Sequence, residues 1–314
     1  MFKTILHHHA SSCSDCTKLC CTKIEDFSVK IGRLTIFDHV NIHIHCGQLT
    51  ALIGPNGAGK STLLRIISGQ LRQTAGTAEL FGRPVYDSAA ALGRLCLIGD
   101  TPDFGSLKNA RELFWVCEGL FPHWDGEYAL KLAARFDLPL TKKLKGFSRG
   151  MQTALLLSVG LASGAELTVF DEPSLGLDAV MRERFYDELL LARQADAGRT
   201  FLLSTHLIDE VARALDFAVM IDAGRLMCEG TAEELTRLYL SVSGAPESVR
   251  EETRNLTVLK EEEVAGSLVR YLRLNTPEDA QRILESGRVQ AAHMSLQKLF
   301  VFLTEEKEAA RDAV

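Results

Sequence analysis

Gly54-Pro55-Asn56-Gly57-Ala58-Gly59-Lys60-Ser61-Thr62 follows directly on the apolar run Leu49-Thr50-Ala51-Leu52-Ile53, and the stretch after it, Ser61 to Ser68, has helical spacing. An apolar run, a glycine-rich turn and a helical segment in that order make one strand-loop-helix unit of a parallel α/β sheet. The nine residues fit the pattern G-x-x-x-x-G-K-[ST], a loop that binds phosphate. Glycines let backbone N–H groups curl around phosphate oxygens, and the helix start adds a positive dipole. Lys60 reaches the β and γ phosphates, and the Ser61 hydroxyl suits a Mg²⁺ ion.

Working outward from this loop, Leu167-Thr168-Val169-Phe170 is a second short apolar run and ends on Asp171-Glu172-Pro173. Read alone, the two acids are an ordinary surface pair after a buried strand. With a phosphate loop upstream they acquire separate roles: Asp171 in a Mg²⁺ shell, and Glu172 polarising an attacking water. Phe201 to Leu203 and Phe217 to Ile221 are further candidate central strands. Ile24 to Ile31 and Leu34 to Ile44 alternate in the manner of a half-exposed antiparallel sheet, broken by Gly32 and Gly47. Residues of about 105 to 163 are mostly helix-forming, with breaks at Pro122 and Pro139, and read as a helical insertion.

The C-terminal part has a different character. Ser241 to Glu252 is largely polar, and Glu261-Glu262-Glu263 is a charge run expected on solvated surface; a linker or loose edge is predicted here. Leu268 to Leu274 alternates like a strand. Thr276-Pro277-Glu278-Asp279 opens a helix with a cap, a first-turn proline and acids at the positive end of the dipole. Leu296 to Leu303 reads as a last apolar helix. The expected organisation is a Cys/His-rich tail over 1–22, a nucleotide-binding domain over 23–235 and a small α+β appendage over 240–314.

The two motifs, together with Phe147-Ser148-Arg149-Gly150-Met151-Gln152, Ser174-Leu175-Gly176-Leu177-Asp178 and Ser204-Thr205-His206, resemble in order and spacing the nucleotide-binding domains of ABC ATPases. The resemblance covers residues of about 24 to 235. It implies a P-loop NTPase core with an antiparallel β subdomain and a helical insertion, ATP hydrolysis with Mg²⁺, and a head-to-tail dimer with a second ABC ATPase subunit that sandwiches two ATP molecules. Carried over, Ser148 and Gly150 would meet the γ-phosphate in trans, Asp178 would lie in the dimer-crossing loop, and His206 would hold the γ-phosphate and water beside Glu172.

Departures from the family pattern are informative. Arg149 and Met151 stand where the signature usually has glycine and glutamine, and both variants look like those of export-type subunits. Asp100 stands where the family has a glutamine that senses Mg²⁺ and the membrane partner, which adds a carboxylate to the candidate metal ligands Ser61 and Asp171. Ile31 takes the place of an adenine-stacking aromatic, which implies weaker base stacking and looser discrimination between ATP and GTP.

The stretches Phe121-Pro122-His123-Trp124-Asp125, Gly160-Leu161-Ala162-Ser163 and Ser295 to Phe300 are similar to the ATPases of the export-type ABC-2 class. That likeness implies a separate membrane permease as partner and a place on the inner face of the cell membrane. A nutrient-import subunit would share the core motifs. A soluble ABC protein of ribosomes or DNA would usually show tandem domains or long coiled coils, and neither pattern is visible.

Composition agrees with such a subunit. The net charge of −6 argues against a protein that holds nucleic acid by neutralising phosphates. No run reaches the roughly 18–20 apolar residues needed to span a bilayer, and Met1 to Leu6 is too short for a secretory signal. Cys13, Cys16, Cys20 and Cys21 crowd together near histidines, and Cys-x-x-Cys lets two thiolates reach one soft ion. No second such pair completes a four-ligand spacing, so a disordered or reactive tail is the expectation.

Overall fold

The computed structural model describes residues 20–101, 103–212 and 214–312. Two compact units emerge: one runs through His206 and takes up Ala214–Met227, and the other comprises Leu207–Arg213 and the chain from Cys228 on.

The first unit begins with two long antiparallel strands, β1 (Cys20–Ile31) and β2 (Leu34–His45). They form a sheet with β4 (Ala75–Leu80) and β5 (Arg83–Pro84) in the order β2-β1-β4-β5. Between them in sequence lie β3 (Leu49–Ile53) and the helix α1 (Lys60–Ile67). A short helix α2 (Ala89–Leu92) precedes β6 (Leu95–Ile98). Phe27 and Phe37 pack at 5.6 Å between centroids, and with Ile24, Ile42, Leu63 and Ile67 they join the antiparallel sheet to α1 in one apolar core. Burial of such side chains stabilises by about 25 cal/mol per Å² of apolar surface.

The helices α3 (Ala110–Leu120), α4 (Gly126–Arg135) and α5 (Arg149–Ala162) fill the predicted insertion; Asn109, Asp125 and Ser148 cap their starts. Each cap accepts an N–H that the helix cannot satisfy itself. The chain then enters β7 (Leu167–Asp171), α6 (Ala179–Ala195), β8 (Thr200–Thr205), α7 (Ile208–Val211), β9 (Phe217–Asp222) and β10 (Arg225–Gly230). The second sheet has the order β10-β9-β3-β8-β7-β6. Its strands β3, β7 and β8 are buried along their whole length, which is why they read as continuous apolar runs.

Register in this sheet positions everything that follows. Parallel pairing sets Ile53 opposite Thr205 and Asp171 opposite Ser204, so β3, β8 and β7 end side by side. In open α/β sheets the carboxyl ends of the strands are where ligands bind.

The helix α5 lies close against this sheet. At Gly160 an added Cβ would meet Phe170 Cε1 at 2.5 Å and Ile98 Cγ1 at 2.9 Å, so only glycine allows that approach. The last turn is held by Arg199, whose guanidinium donates to Leu161 O at 2.8 Å, Gly160 O at 3.3 Å and Thr168 Oγ1 at 3.3 Å. A cation there also complements the negative end of the helix dipole.

One expectation needs correction. The polar stretch Ser241 to Glu252 is no linker: it forms β11 (Tyr239–Gly244) and α9 (Pro246–Glu252) after the short helix α8 (Ala232–Thr236). Only Leu240 and Val242 of that strand are fully buried, a two-residue alternation too brief to stand out among serines. The glutamate run lies in β12 (Thr257–Val264), where its acids are exposed to varying degrees and Glu261 pairs with Arg270.

With β13 (Ser267–Arg273), α10 (Pro277–Glu285) and β14 (Gln290–His293), the second unit reads β-α-β-β-α-β, its sheet ordered β12-β13-β11-β14. Val249, Ala280 and Ile283 from α9 and α10 cover Leu240, Val242, Leu268 and Leu272. Phe302 of α11 (Leu296–Asp312) packs with Tyr271 and Met294 in a separate cluster.

Cys13 and Cys16 lie outside the described residues, whereas Cys21 is a buried strand residue of β1. The register shifts at that point, where Cys20 pairs with His45 but Thr22 with Ile44. The neighbouring Cys21 lowers the pKa of the Cys46 thiol to about 7. Among the described residues no group of three or more His, Cys, Asp or Glu could hold a metal.

Gly160→Val will force α5 off β7 at a cost of about 1–3 kcal/mol from overpacking. Urea unfolding measures this, and a variant as stable as the parent contradicts the close approach.

Candidate active site

The phosphate loop has the backbone its glycines require. Gly57 and Gly59 sit at φ 83° and 106°, a region that side chains disfavour, and a Cβ on Gly59 would strike Phe37 Cζ at 2.7 Å. Ala58 N donates to Pro55 O at 3.1 Å and closes the turn. Gly59 offers α1 no side-chain cap, so the first N–H groups of the helix point toward the loop without a side-chain acceptor of that kind. Asn56, Ser61 and Thr62 complete the segment; Asn56 and Ser61 are exposed.

Lys60 is 6% exposed. Its Nζ donates to Gly54 O at 2.7 Å and stands 3.1 Å from Glu172 Oε1. The other carboxylate oxygen of Glu172, Oε2, lies 2.8 Å from His206 Nδ1. Since an ionised carboxylate only accepts, Nδ1 is the donor in this contact. Three residues far apart in sequence therefore converge because β3, β7 and β8 end together.

Asp171 is buried at the end of β7 and accepts the hydroxyl of Ser204. Asp100 follows β6, accepts Thr101 Oγ1 at 3.1 Å and lines one small cleft with Asp171, Glu172 and Leu175. Oxygen donors of this kind, Asp171 and Asp100 with the Ser61 hydroxyl, suit a hard ion such as Mg²⁺.

Ser148, Gly150 and Asp178 occupy helix starts. Ser148 Oγ accepts Met151 N–H at 3.3 Å, and Asp178 Oδ1 accepts Met181 N–H at 2.9 Å. A Cβ on Gly150 would stand 2.9 Å from Gly176 O, so the two motifs pack backbone to backbone. Within the chain these residues are caps and spacers. Sequence reasoning assigned no role to Ser204, although its hydroxyl joins both acids; strand register, invisible in one sequence, was the missing signal.

Comparison with known proteins agrees with this geometry. The profile described as "ABC transporter" matches residues 37–175, and an AAA-domain profile matches 141–212. The chain is 33% identical over 211 residues to the Nod factor export ATP-binding protein I of Cupriavidus metallidurans, covering 65% of this chain and 69% of that one. It is 34% identical over 213 residues to the daunorubicin resistance ATP-binding protein DrrA3 of Streptomyces coeruleorubidus, covering 66% of each. The matches thus span about two thirds of those relatives' length. A solved structure of the ATP-binding subunit of an ABC transporter superposes with a TM-score of 0.63 at 25% identity, covering 69% of this chain and 92% of that one.

Lys60→Ala will weaken ATP binding roughly 10–100-fold, the loss of one or two charge-assisted hydrogen bonds. Calorimetry that returns an unchanged affinity would remove the phosphate-cradle assignment.

Proposed function

We propose, since this chain belongs to the ABC transporter ATP-binding family, that it drives export through a separate membrane permease. Members of the family are ATPases, and so is this protein. Among the described residues no helix is long and apolar enough to cross a membrane, so the conduit is assigned to another polypeptide. Export is favoured by the names of the relatives, one for Nod factor export and one for daunorubicin resistance.

The observation that carries the mechanism is the contact of Glu172 with both Lys60 and His206. Lys60 binds the β and γ phosphates; on doing so it releases Oε1 of Glu172. That oxygen then accepts a proton from water as the water attacks the γ-phosphorus and the bond to the β,γ-bridging oxygen breaks, leaving ADP and phosphate, while His206 keeps the carboxylate oriented through Oε2. Ser61, Asp171 and Asp100 would hold Mg²⁺, which supplies charge stabilisation on the phosphate oxygens. Ser148 and Gly150 reach the γ-phosphate held by a second ABC ATPase subunit, identical or not, across a dimer whose crossing loop contains Asp178. Ile31 and Leu34, paired and exposed where β1 meets β2, offer the base an aliphatic surface in place of an aromatic.

Glu172→Gln will bind ATP and dimerise on it, while turnover falls about 10²–10⁴-fold, the usual worth of a general base. Phosphate release and gel filtration read this, and wild-type turnover refutes the base. Affinity capture from detergent extracts will return a polytopic permease; capture of ribosomal or DNA-bound partners alone would instead support a soluble machine.

A further inference from the structure

We infer that Ser204 is a positioning residue, whose single hydroxyl locks the metal-side acid and the general base into one arrangement; this rests on the reading of Glu172 as the base. Its Oγ donates to Asp171 Oδ1 and accepts the backbone N–H of Glu172 at 3.0 Å. The Ser204 carbonyl shares that N–H at 3.2 Å. The side chain is completely buried, and Ser204 stands in register with Asp171 across β7 and β8.

Proton inventory leaves one arrangement. A carboxylate cannot donate and an amide N–H cannot accept, so the hydroxyl hydrogen goes to Asp171 and an oxygen lone pair goes to Glu172. The two acids are thereby tied through one atom.

Backbone conformation gives this tie its purpose. Glu172 sits at φ 49°, a left-handed turn that a residue with a Cβ adopts only when its surroundings impose it. The paired acceptors on Ser204 hold that turn, and with it the Glu172 carboxylate reaches Lys60 and His206. Asp171, gripped by Oδ1, keeps Oδ2 for the metal side. Partners that orient a metal-side carboxylate in this way usually tune metal affinity as well as rate.

The test uses the full-length chain and Ser204→Ala, which removes one of the two acceptors of Glu172 N–H and leaves the Ser204 carbonyl as the other. Expected are a kcat roughly 10–100-fold lower, as for a misplaced reacting group, with the KM for ATP within about threefold. Mn²⁺ titrated against the protein with a non-hydrolysable ATP analogue, read by electron paramagnetic resonance, will bind about tenfold more weakly. A merely structural role lowers the melting temperature without moving that titration. A Ser204→Ala kcat within about threefold of wild type, or an unchanged Mn²⁺ affinity at any rate, overturns the positioning role. Glu172→Gln assayed in parallel separates the two readings, because full turnover there removes the base whatever the manganese result.

Discussion

Glu172 is an acid only 14% exposed, held between a lysine 6% exposed and a histidine. Removing one partner of a buried ion pair costs about 3–5 kcal/mol, because the remaining charge has neither water nor a counter-ion. Much of the first unit can be understood as the means of bringing these groups together. The glycine turn delivers Lys60 from the end of β3, the strand β7 delivers Glu172, and β8 between them delivers His206. Parallel pairing sets the three ends level, and a one-residue slip on any strand would separate the charges.

The legible part of this arrangement was that carried by local chemistry. Glycines at 54, 57 and 59 beside Lys60, and two acids closing an apolar run, imply phosphate and metal chemistry without any knowledge of the neighbours. The buried strands were legible for a related reason: burial on both faces leaves continuous apolar runs such as Leu167 to Phe170. What depended on partners distant in sequence was not. Ser204 looks like any serine before Thr-His until β8 is laid beside β7, and Arg199 looks like a surface cation until it meets the end of α5. The second unit failed in part for another reason, since β11 shows too few buried apolar side chains to outweigh its serines.

Asp100 and Ile31, two positions that the sequence sets apart from the family pattern, are both exposed. Asp100 lines the same cleft as Asp171 and Glu172 and adds a third carboxylate to it. Ile31 ends a strand rather than entering the core. Lys60, Glu172 and His206 are instead held in contact with one another, and Asp171 with Ser204.

The helix starts at Ser148 and Asp178 have a consequence for chemical currency. Each has already spent a lone pair on its own helix, Ser148 on Met151 N–H and Asp178 on Met181 N–H. A serine that accepts through oxygen retains a hydrogen to give, and so can still greet an anion. An aspartate so engaged has only acceptors left and repels one. The two caps are alike as folding devices and opposite in what they can offer to a visiting phosphate: a handshake from one, a fence from the other.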